Sequence, residues 1–136
     1  MELMPPMNSH QDQTSSQTPT AARASFGDLA PALATYTDEV LFGDVWERPG
    51  LSPRDRSLVT ITCLIALYRT NELPFHLKRA LDNGVTREEI IETITHLAFY
   101  SGWPTANTAL PIARRVFEEA GVRAVRMHDR RKESSR

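Results

Sequence analysis

Two histidines with acidic neighbours are the residues in this sequence whose types and spacing best suit chemistry. Glu72 precedes His76 by four residues, so both side chains can share one helix face. A carboxylate beside an imidazole suits a general acid or base, although a surface ion pair has the same spacing. His96 follows Glu92 by four residues and, taken alone, is slightly better explained as a hydrogen-bonded core residue. Both histidines are candidate catalytic residues with a structural alternative.

Two arginines are candidates for binding an anion. Arg54 and Arg56 flank Asp55 at a predicted helix start, where a cation gains nothing from the helix dipole. Solvent, a neighbouring subunit or an anion could explain them. A guanidinium beside exposed helix amide groups would form a good clamp for a carboxylate.

Several other chemistries have no support in the composition. Cys63 is the only cysteine, so the chain has no internal disulfide and no thiol-rich metal site; it is expected to be a small core residue. No metal is expected, because no tight ligand spacing joins the four histidines, His10, His76, His96 and His128. A formal net charge of -1 gives no reason to expect a nucleic-acid partner. With no membrane-spanning stretch and no secretory signal, we expect a cytoplasmic protein.

The first two elements that would position these residues are predicted to be helices. One helical segment over residues 25–46 has an apolar stripe formed by Leu29, Leu33, Tyr36, Val40 and Leu41. The next helix begins with Ser52 as its cap and Pro53 in its first position. Its apolar stretch, LVTITCLIALY, predicts the most buried helix of the protein.

Three more helices follow in the prediction. Asn71 would cap the first of them and Gly84 would end it. A capping box opens the second, over residues 86–100, and Gly121 would end the third, over residues 105–120. No alternating run predicts a strand, so the expected fold class is all-α.

The predicted organisation is one helical domain between two tails. Residues 1–24 are rich in Ser, Thr, Gln and Pro and are expected to be a flexible arm. The domain covers residues 25–122, and residues 123–136 form a basic tail that is expected to fray in solvent. Because a domain this small cannot easily surround a helix that is apolar on every side, we expect a homo-oligomer.

Three stretches together resemble the carboxymuconolactone decarboxylase family, over nearly all of residues 36–120: FGDVWERPGLSPRDRSLVTITCLIAL, ELPFHLKRALDNGVTREEI and HLAFYSGWPTANTAL. The resemblance implies a single-domain, helical fold of the alkylhydroperoxidase D-like type, assembled as a trimer or a trimer-of-dimers hexamer. It also implies a reaction without a cofactor, in which gamma-carboxymuconolactone loses carbon dioxide and gives the enol-lactone of beta-ketoadipate during protocatechuate breakdown.

The implied site combines the candidate residues. His76, oriented by Glu72, would supply the proton or a hydrogen bond to the developing oxyanion, and His96 is a second catalytic candidate. The substrate-binding candidates are Arg54 and Arg56, which would grip a carboxylate of the lactone, and Tyr100 and Trp103, which would wall the pocket.

The thiol chemistry of the wider superfamily is missing from this sequence. Its Cys-x-x-Cys pair would fall on Arg69 and Glu72 if its histidine falls on His76, so peroxide reduction through a cysteine pair is chemically unavailable. Two alternatives stay open beside the decarboxylase. One is an antioxidant or other-reaction member of the superfamily that uses the Glu72 and His76 pair, and the other is a non-catalytic oligomeric binding protein.

Overall fold

Helices account for all the regular structure of residues 20–135, which are the residues that the computed structural model describes; of these, the side chains of residues 124 and 125 are not described. The predicted all-α class is confirmed. The chain divides into two compact units, and the boundary falls between Val45 and Trp46. Residues 1–19 of the predicted arm, including His10, lie outside the described residues. No helix of residues 20–135 combines the length and the apolar character needed to cross a membrane.

Residues 20–45, the described part of the first unit, form three short helical elements in place of one long helix. Helix α1 (Ala21–Phe26) is capped by the Thr20 hydroxyl, and helix α2 (Pro31–Thr35) begins at a proline. A π-helical segment (Tyr36–Phe42) follows directly. The last four residues of the predicted arm therefore belong to α1, and residues 27–30 interrupt the predicted helical segment.

The apolar stripe predicted for this unit does not face a core in the chain. Leu29 is 87% exposed, and Leu33, Tyr36, Val40 and Leu41 are also exposed, whereas the small side chains of Ala22 and Ala34 are buried. Helical spacing shows which residues share a face, but it does not say whether another element covers that face.

The second unit consists of four helices: α3 (Pro53–Ala66), α4 (Leu73–Asp82), α5 (Arg87–Tyr100) and α6 (Trp103–Glu133). A 3-10 turn (Val45–Glu47) spans the boundary between the units. The core of this unit is one cluster to which all four helices contribute, with its largest members being Ile61, Leu73, Leu77, Ile90, Ile94, Val116 and Phe117. This cluster holds α4 and α5, which carry the two candidate histidines.

Helix α3 is not the fully buried helix that its sequence predicts. Only Ser57, Ile61 and Ile65 are buried along it, while Val59 is 60% exposed and Cys63 is also exposed. The expectation that Cys63 is a core residue is therefore wrong. An apolar sequence permits burial on every side, but the neighbouring helices of one chain cover α3 on one side.

The predicted helix-end signals at Ser52, Thr86 and Gly84 are confirmed. The Ser52 hydroxyl accepts a hydrogen bond from the Asp55 amide, and Thr86 and Glu89 form a reciprocal capping box. Gly84 ends α4 with a φ of 94°, in the left-handed region that favours glycine. The predicted cap Asn71 is wrong, because Glu72 occupies the cap position of α4 and makes no side-chain capping bond.

Helix α6 is longer at both ends than predicted. It begins at Trp103 and continues through Gly121 to Glu133, so the helix does not end at the glycine and the basic tail is mostly helical. Arg130, Arg131 and Lys132 lie in its last turn, where cations interact favourably with the helix dipole. Gly121 does not adopt the left-handed conformation that Gly84 adopts after α4, so the helix continues through it.

The capping box of α5 gives a testable contribution to stability. We expect Thr86→Ala to lower the free energy of unfolding by about 1 kcal/mol, because the Glu89 amide loses its hydrogen-bond acceptor. Thr95→Ala is the matched control: it removes an exposed hydroxyl from the interior of α5, where alanine is the better helix former. Urea unfolding of both variants measures the difference, and equal stabilities would contradict the capping role.

Candidate active site

His76 lies on the second turn of α4, on a helix fixed by buried residues on either side of it. Leu73 and Leu77 anchor this part of the helix in the core, and both are almost completely buried. The imidazole itself is half-buried. Its Nδ1 atom is buried and has no hydrogen-bond partner among the described residues. The ring therefore has an unused polar atom that a substrate, a water molecule or a neighbouring subunit could bind.

Aromatic side chains hold the His76 ring. The indole of Trp46 stacks on the imidazole, with ring centroids 6.1 Å apart and an angle of 16° between the planes. Phe75 meets the imidazole edge-on, at 5.0 Å and 87°. Trp46 is 7% exposed, so the stacking partner belongs to the buried part of the second unit. We call Trp46, Phe75, His76 and Arg79 the His76 cluster.

Glu72 acts on His76 through space. Within residues 20–135, no hydrogen bond or ion pair joins its carboxylate to the imidazole, although the His76 amide donates to the Glu72 carbonyl oxygen at 3.4 Å. The negative charge of Glu72 nevertheless raises the pKa of His76. The role of Glu72 as the residue that orients the imidazole stays a prediction, and the contacts that fix the ring in this structure are aromatic.

The net effect of the surroundings is to lower the pKa of His76 below its ordinary value of 6.5. Burial is the largest cause, because it disfavours the charged imidazolium, and the positive charge of Arg79 is the second. Glu72 opposes both without overcoming them. At neutral pH, His76 is therefore an uncharged imidazole with one donor and one acceptor nitrogen.

Two arginines converge on the short segment Trp46–Arg48. The Arg79 guanidinium carbon lies 4.6 Å from the centroid of the Trp46 ring. Arg56, on α3, donates from Nη2 to the Arg48 carbonyl oxygen at 2.9 Å, and its buried Nε has no hydrogen-bond partner. Arg56, which has an unused donor at Nε, therefore contacts the same short segment whose Trp46 ring stacks on His76.

Arg54 is already engaged within the chain. Its guanidinium forms an ion pair with Glu89 and contacts Asp55 at 3.4 Å. The other oxygen of the Glu89 carboxylate accepts the Thr86 amide of the capping box. Two carboxylates therefore balance the charge of Arg54, which leaves Arg56 better placed to bind an anion. A substrate-binding role for Arg54 stays a prediction.

His96 lines a different surface. A groove of about 400 Å³ between α3 and α5 is lined by Leu58, Thr62, Glu89, Glu92, Thr93, His96 and Leu97. His96 is exposed and stacks on Tyr100 at 4.7 Å. Trp103, at the start of α6, meets Phe99 edge-on at 5.4 Å. The groove includes two carboxylates, so it suits a dianionic ligand less well than the surroundings of Arg56 and Arg79.

Six of the seven predicted site residues fall into two groups. His76 lies in the His76 cluster, Glu72 precedes it by four residues, and Arg56 binds the Arg48 carbonyl oxygen two positions from Trp46. His96 lines the groove, Tyr100 stacks on His96, and Arg54 pairs with the groove residue Glu89. The seventh, Trp103, contacts Phe99 and belongs to neither group. No contact joins His76 to His96 in the described part of the chain, and none of the His76 cluster lines the groove. Convergence of all the predicted site residues on one hollow therefore stays a prediction.

Three members of the cluster are absent from the site residues predicted from the sequence: Trp46, Phe75 and Arg79. Trp46 lies in the first stretch that carries the family resemblance, Phe75 directly precedes His76, and Arg79 follows His76 by three residues on α4. The spacing of three puts Arg79 beside His76 on the helix surface, so that signal was available. The stacking of Trp46 had no signal, because 30 residues separate it from His76. Among residues 20–135, no group of three or more His, Cys, Asp or Glu side chains converges as metal ligands would.

Comparisons with known proteins agree with one another. The family model described as the carboxymuconolactone decarboxylase family matches residues 31–115. The 4-carboxymuconolactone decarboxylase of Acinetobacter baylyi is 40% identical over 98 residues, which cover 72% of this chain and 73% of that protein. The nitrosuccinic acid decarboxylase of Metarhizium robertsii is 37% identical over 81 residues, which cover 60% of this chain and 57% of that protein. An uncharacterized 15.0 kDa protein of Paracoccus denitrificans is 33% identical over 93 residues, or 67% of this chain and 69% of that one.

The lowered pKa of His76 predicts a specific pH dependence of stability. Since the folded protein binds this proton less tightly than the unfolded chain, the unfolded chain takes up more protons as the pH falls below about 6.5. Stability is therefore lost as the pH falls from the ordinary value of 6.5 through the folded pKa of His76. We expect the free energy of unfolding to fall less in His76→Gln than in the wild type between about pH 8 and about pH 5. Parallel curves from urea titrations would contradict the shift.

Proposed function

We propose that this chain, which belongs to the carboxymuconolactone decarboxylase family, is a carboxy-lyase that acts on gamma-carboxymuconolactone or a closely related dicarboxylate. The named relatives support decarboxylation, since two of them are decarboxylases. The two named substrates share a chemical feature: the carbon that carries the carboxylate is linked to a group that can accept its electron pair. That group is the lactone in one substrate and the nitro group in the other. We propose the lactone as the substrate because 4-carboxymuconolactone decarboxylase matches more of the chain, and at higher identity, than nitrosuccinic acid decarboxylase does.

The reaction needs no cofactor because the substrate contains its own electron acceptor. The bond between the ring carbon and the carboxylate breaks, carbon dioxide leaves, and the electron pair moves through the unsaturated lactone onto its carbonyl oxygen. One proton then adds to carbon and gives the enol-lactone of beta-ketoadipate. The protein has to bind a dianion, stabilise charge on the lactone oxygen and provide one proton.

His76 carries the proposal, because it is a half-buried imidazole with an unused nitrogen beside positive charge. As a neutral ring it can donate one N–H to the lactone oxygen while negative charge develops there. A dianion bound nearby would also raise the pKa of His76, because an anion favours the imidazolium. Substrate binding would then draw to His76 the proton that the reaction consumes.

Arg56 would bind the carboxylate that the product retains and not the carboxylate that leaves as carbon dioxide. A guanidinium bound to the departing carboxylate would stabilise the substrate more than the transition state, which would slow the loss of carbon dioxide. Arg56 has a buried Nε without a partner, and its Nη2 is fixed on the Arg48 carbonyl oxygen. The half-exposed ring of Phe75 beside His76 then remains for the departing carboxylate, where weak solvation favours neutral carbon dioxide.

A neighbouring subunit would complete the site. In one chain, Tyr100 is 78% exposed and Trp103 is 59% exposed, and His96 lies apart from His76. Assembly as a trimer or hexamer would cover exposed apolar side chains of α3 and α5 and could bring these residues to the site of another subunit. Large exposed apolar patches mark such interfaces.

The catalytic roles are tested by decarboxylation kinetics. We expect His76→Ala to lower kcat by about 100-fold to 10,000-fold, and Arg56→Ala to raise KM, when the loss of lactone is followed by ultraviolet absorbance. His128→Ala and Arg115→Ala are matched controls that remove an exposed histidine and an exposed arginine from α6. Nitrosuccinate, with carbon dioxide release as the readout, is the second substrate. An inactive wild type on both substrates overturns the proposed function, and a His76→Ala rate within a few fold of the wild type overturns that role.

The assembly is tested by size-exclusion chromatography with light scattering. We expect a mass of three or six times the 15.3 kDa of one chain. Val59→Glu places a charge on the exposed side of α3 and should lower that mass, whereas Val122→Glu changes a comparably exposed valine on α6 and serves as its control. A monomeric wild type would contradict the proposed assembly.

A further inference from the structure

Trp46 and Arg79 take no direct part in the chemistry above, yet both act on the His76 imidazole. We propose that they are positioning residues for His76: the indole fixes the plane of the imidazole, and the guanidinium fixes the indole. The proposal deepens the role given to His76 and so rests on the proposed function for its kinetic consequences. Its structural part stands on the contacts within the His76 cluster.

The imidazole lacks the hydrogen bond that would ordinarily fix its orientation. A functional histidine is held in one tautomer and one rotamer when its second nitrogen binds a carboxylate or a backbone carbonyl. Here Nδ1 is buried without a partner, and the Glu72 carboxylate makes no hydrogen bond to the ring. The orientation must therefore come from packing.

Two aromatic rings supply that packing from perpendicular directions. Trp46 lies nearly parallel to the imidazole, and Phe75 meets it nearly at a right angle. A ring placed against a face and an edge cannot rotate about its Cβ–Cγ bond without losing one of the two contacts. Offset stacking and edge-on contacts are the two arrangements that aromatic rings favour, so the pair defines one orientation.

Arg79 connects the indole to α4. It follows His76 by three residues on the same helix, and its guanidinium packs on the Trp46 ring at 4.6 Å. Among the aromatic side chains, the indole of tryptophan forms the strongest cation–π interactions. Trp46 is thereby tied to α4 through two residues, His76 and Arg79, and the stack moves as one unit with the helix. Of the charged groups, Arg79 opposes protonation of His76 and Glu72 favours it, while the indole is uncharged.

The experiment is an NMR titration of His76 in the full chain, with ¹³C-labelled histidine and the resonance assigned by its loss in His76→Gln. Trp46→Leu removes the stacking face and Arg79→Gln removes the cation, whereas Trp46→Phe and Arg79→Lys keep a ring and a charge. Arg87→Gln is the matched control, because Arg87 packs on the Phe117 ring at 4.9 Å in a second contact of the same type.

We expect both disruptive variants to raise the pKa of His76, one by exposing the ring to water and the other by removing a nearby positive charge. We also expect kcat to fall about 10-fold to 100-fold with KM changed less than about threefold, since a misplaced imidazole affects the reaction more than binding. Trp46→Phe and Arg79→Lys should recover most of both readouts. Arg87→Gln should leave both at wild-type values.

A His76 titration in Trp46→Leu that matches the Arg87→Gln control overturns the proposal, because the indole is uncharged and acts on the imidazole only through packing. If Trp46→Leu fails to fold, Arg79→Gln decides the question, since Arg79 is only partly buried: nuclear Overhauser effects between the Trp46 and His76 rings that are unchanged in this variant overturn the proposal. The titration requires no substrate. A wild type that decarboxylates neither substrate therefore refutes the proposed function separately, and the titration of the variants still supports or refutes the positioning role.

Discussion

The contact between the Trp46 indole and the His76 imidazole is the interaction on which the candidate site depends. It joins the segment that follows the first unit to α4, and it orients a ring that has no hydrogen bond at its buried nitrogen. Aromatic packing of this kind orients the ring without a hydrogen bond at either of its nitrogens among the described residues. A carboxylate bound at Nδ1 would have oriented the ring equally well, but it would have occupied one of the two nitrogens and favoured a permanent positive charge.

The charge near the candidate site is consistent with the proposed anionic substrate. Burial and Arg79 keep the imidazole neutral in the absence of substrate, and Arg56 has a buried donor without an intramolecular partner. Both features are unfavourable in the empty protein, because desolvated donors and cations cost free energy until they find a partner. A dicarboxylate would relieve both, and its charge would favour protonation of His76 when the proton is needed. Arg54, paired with Glu89, lacks this property and stabilises the start of α5.

The exposed apolar residues follow from the size of the protein. Four helices of the second unit share one core, yet Val59 on α3 and Leu67 and Tyr68 directly after α3 are exposed, as are Phe99, Tyr100 and Trp103 at the junction of α5 and α6. A chain of this length cannot surround an apolar helix on all sides. Within the described residues, His96 makes no contact with the His76 cluster, and the proposed assembly would have to supply a second chain for a site that uses both histidines.

Local signals were sufficient for much of the fold. The capping box at Thr86, the Ser52 cap and the left-handed Gly84 each depend on residues within a few positions of one another, so the sequence specifies them directly. The all-α class follows from the same kind of pattern. The end of α6 was not predicted correctly because a glycine permits the left-handed conformation that ends a helix but does not require it. Gly84 adopts that conformation and Gly121 does not.

The sequence also identifies His76 as the candidate catalytic group, because residues three and four positions away from it lie beside it on the helix surface. The sequence does not determine its environment. Trp46 lies 30 positions away and reaches the imidazole only through packing, and the burial that lowers the pKa of His76 is a property of the assembled helices. The sequence also does not determine which side of α3 faces the core or where the two histidines lie relative to each other. Periodicity shows which residues share a face, but only long-range packing decides what covers that face.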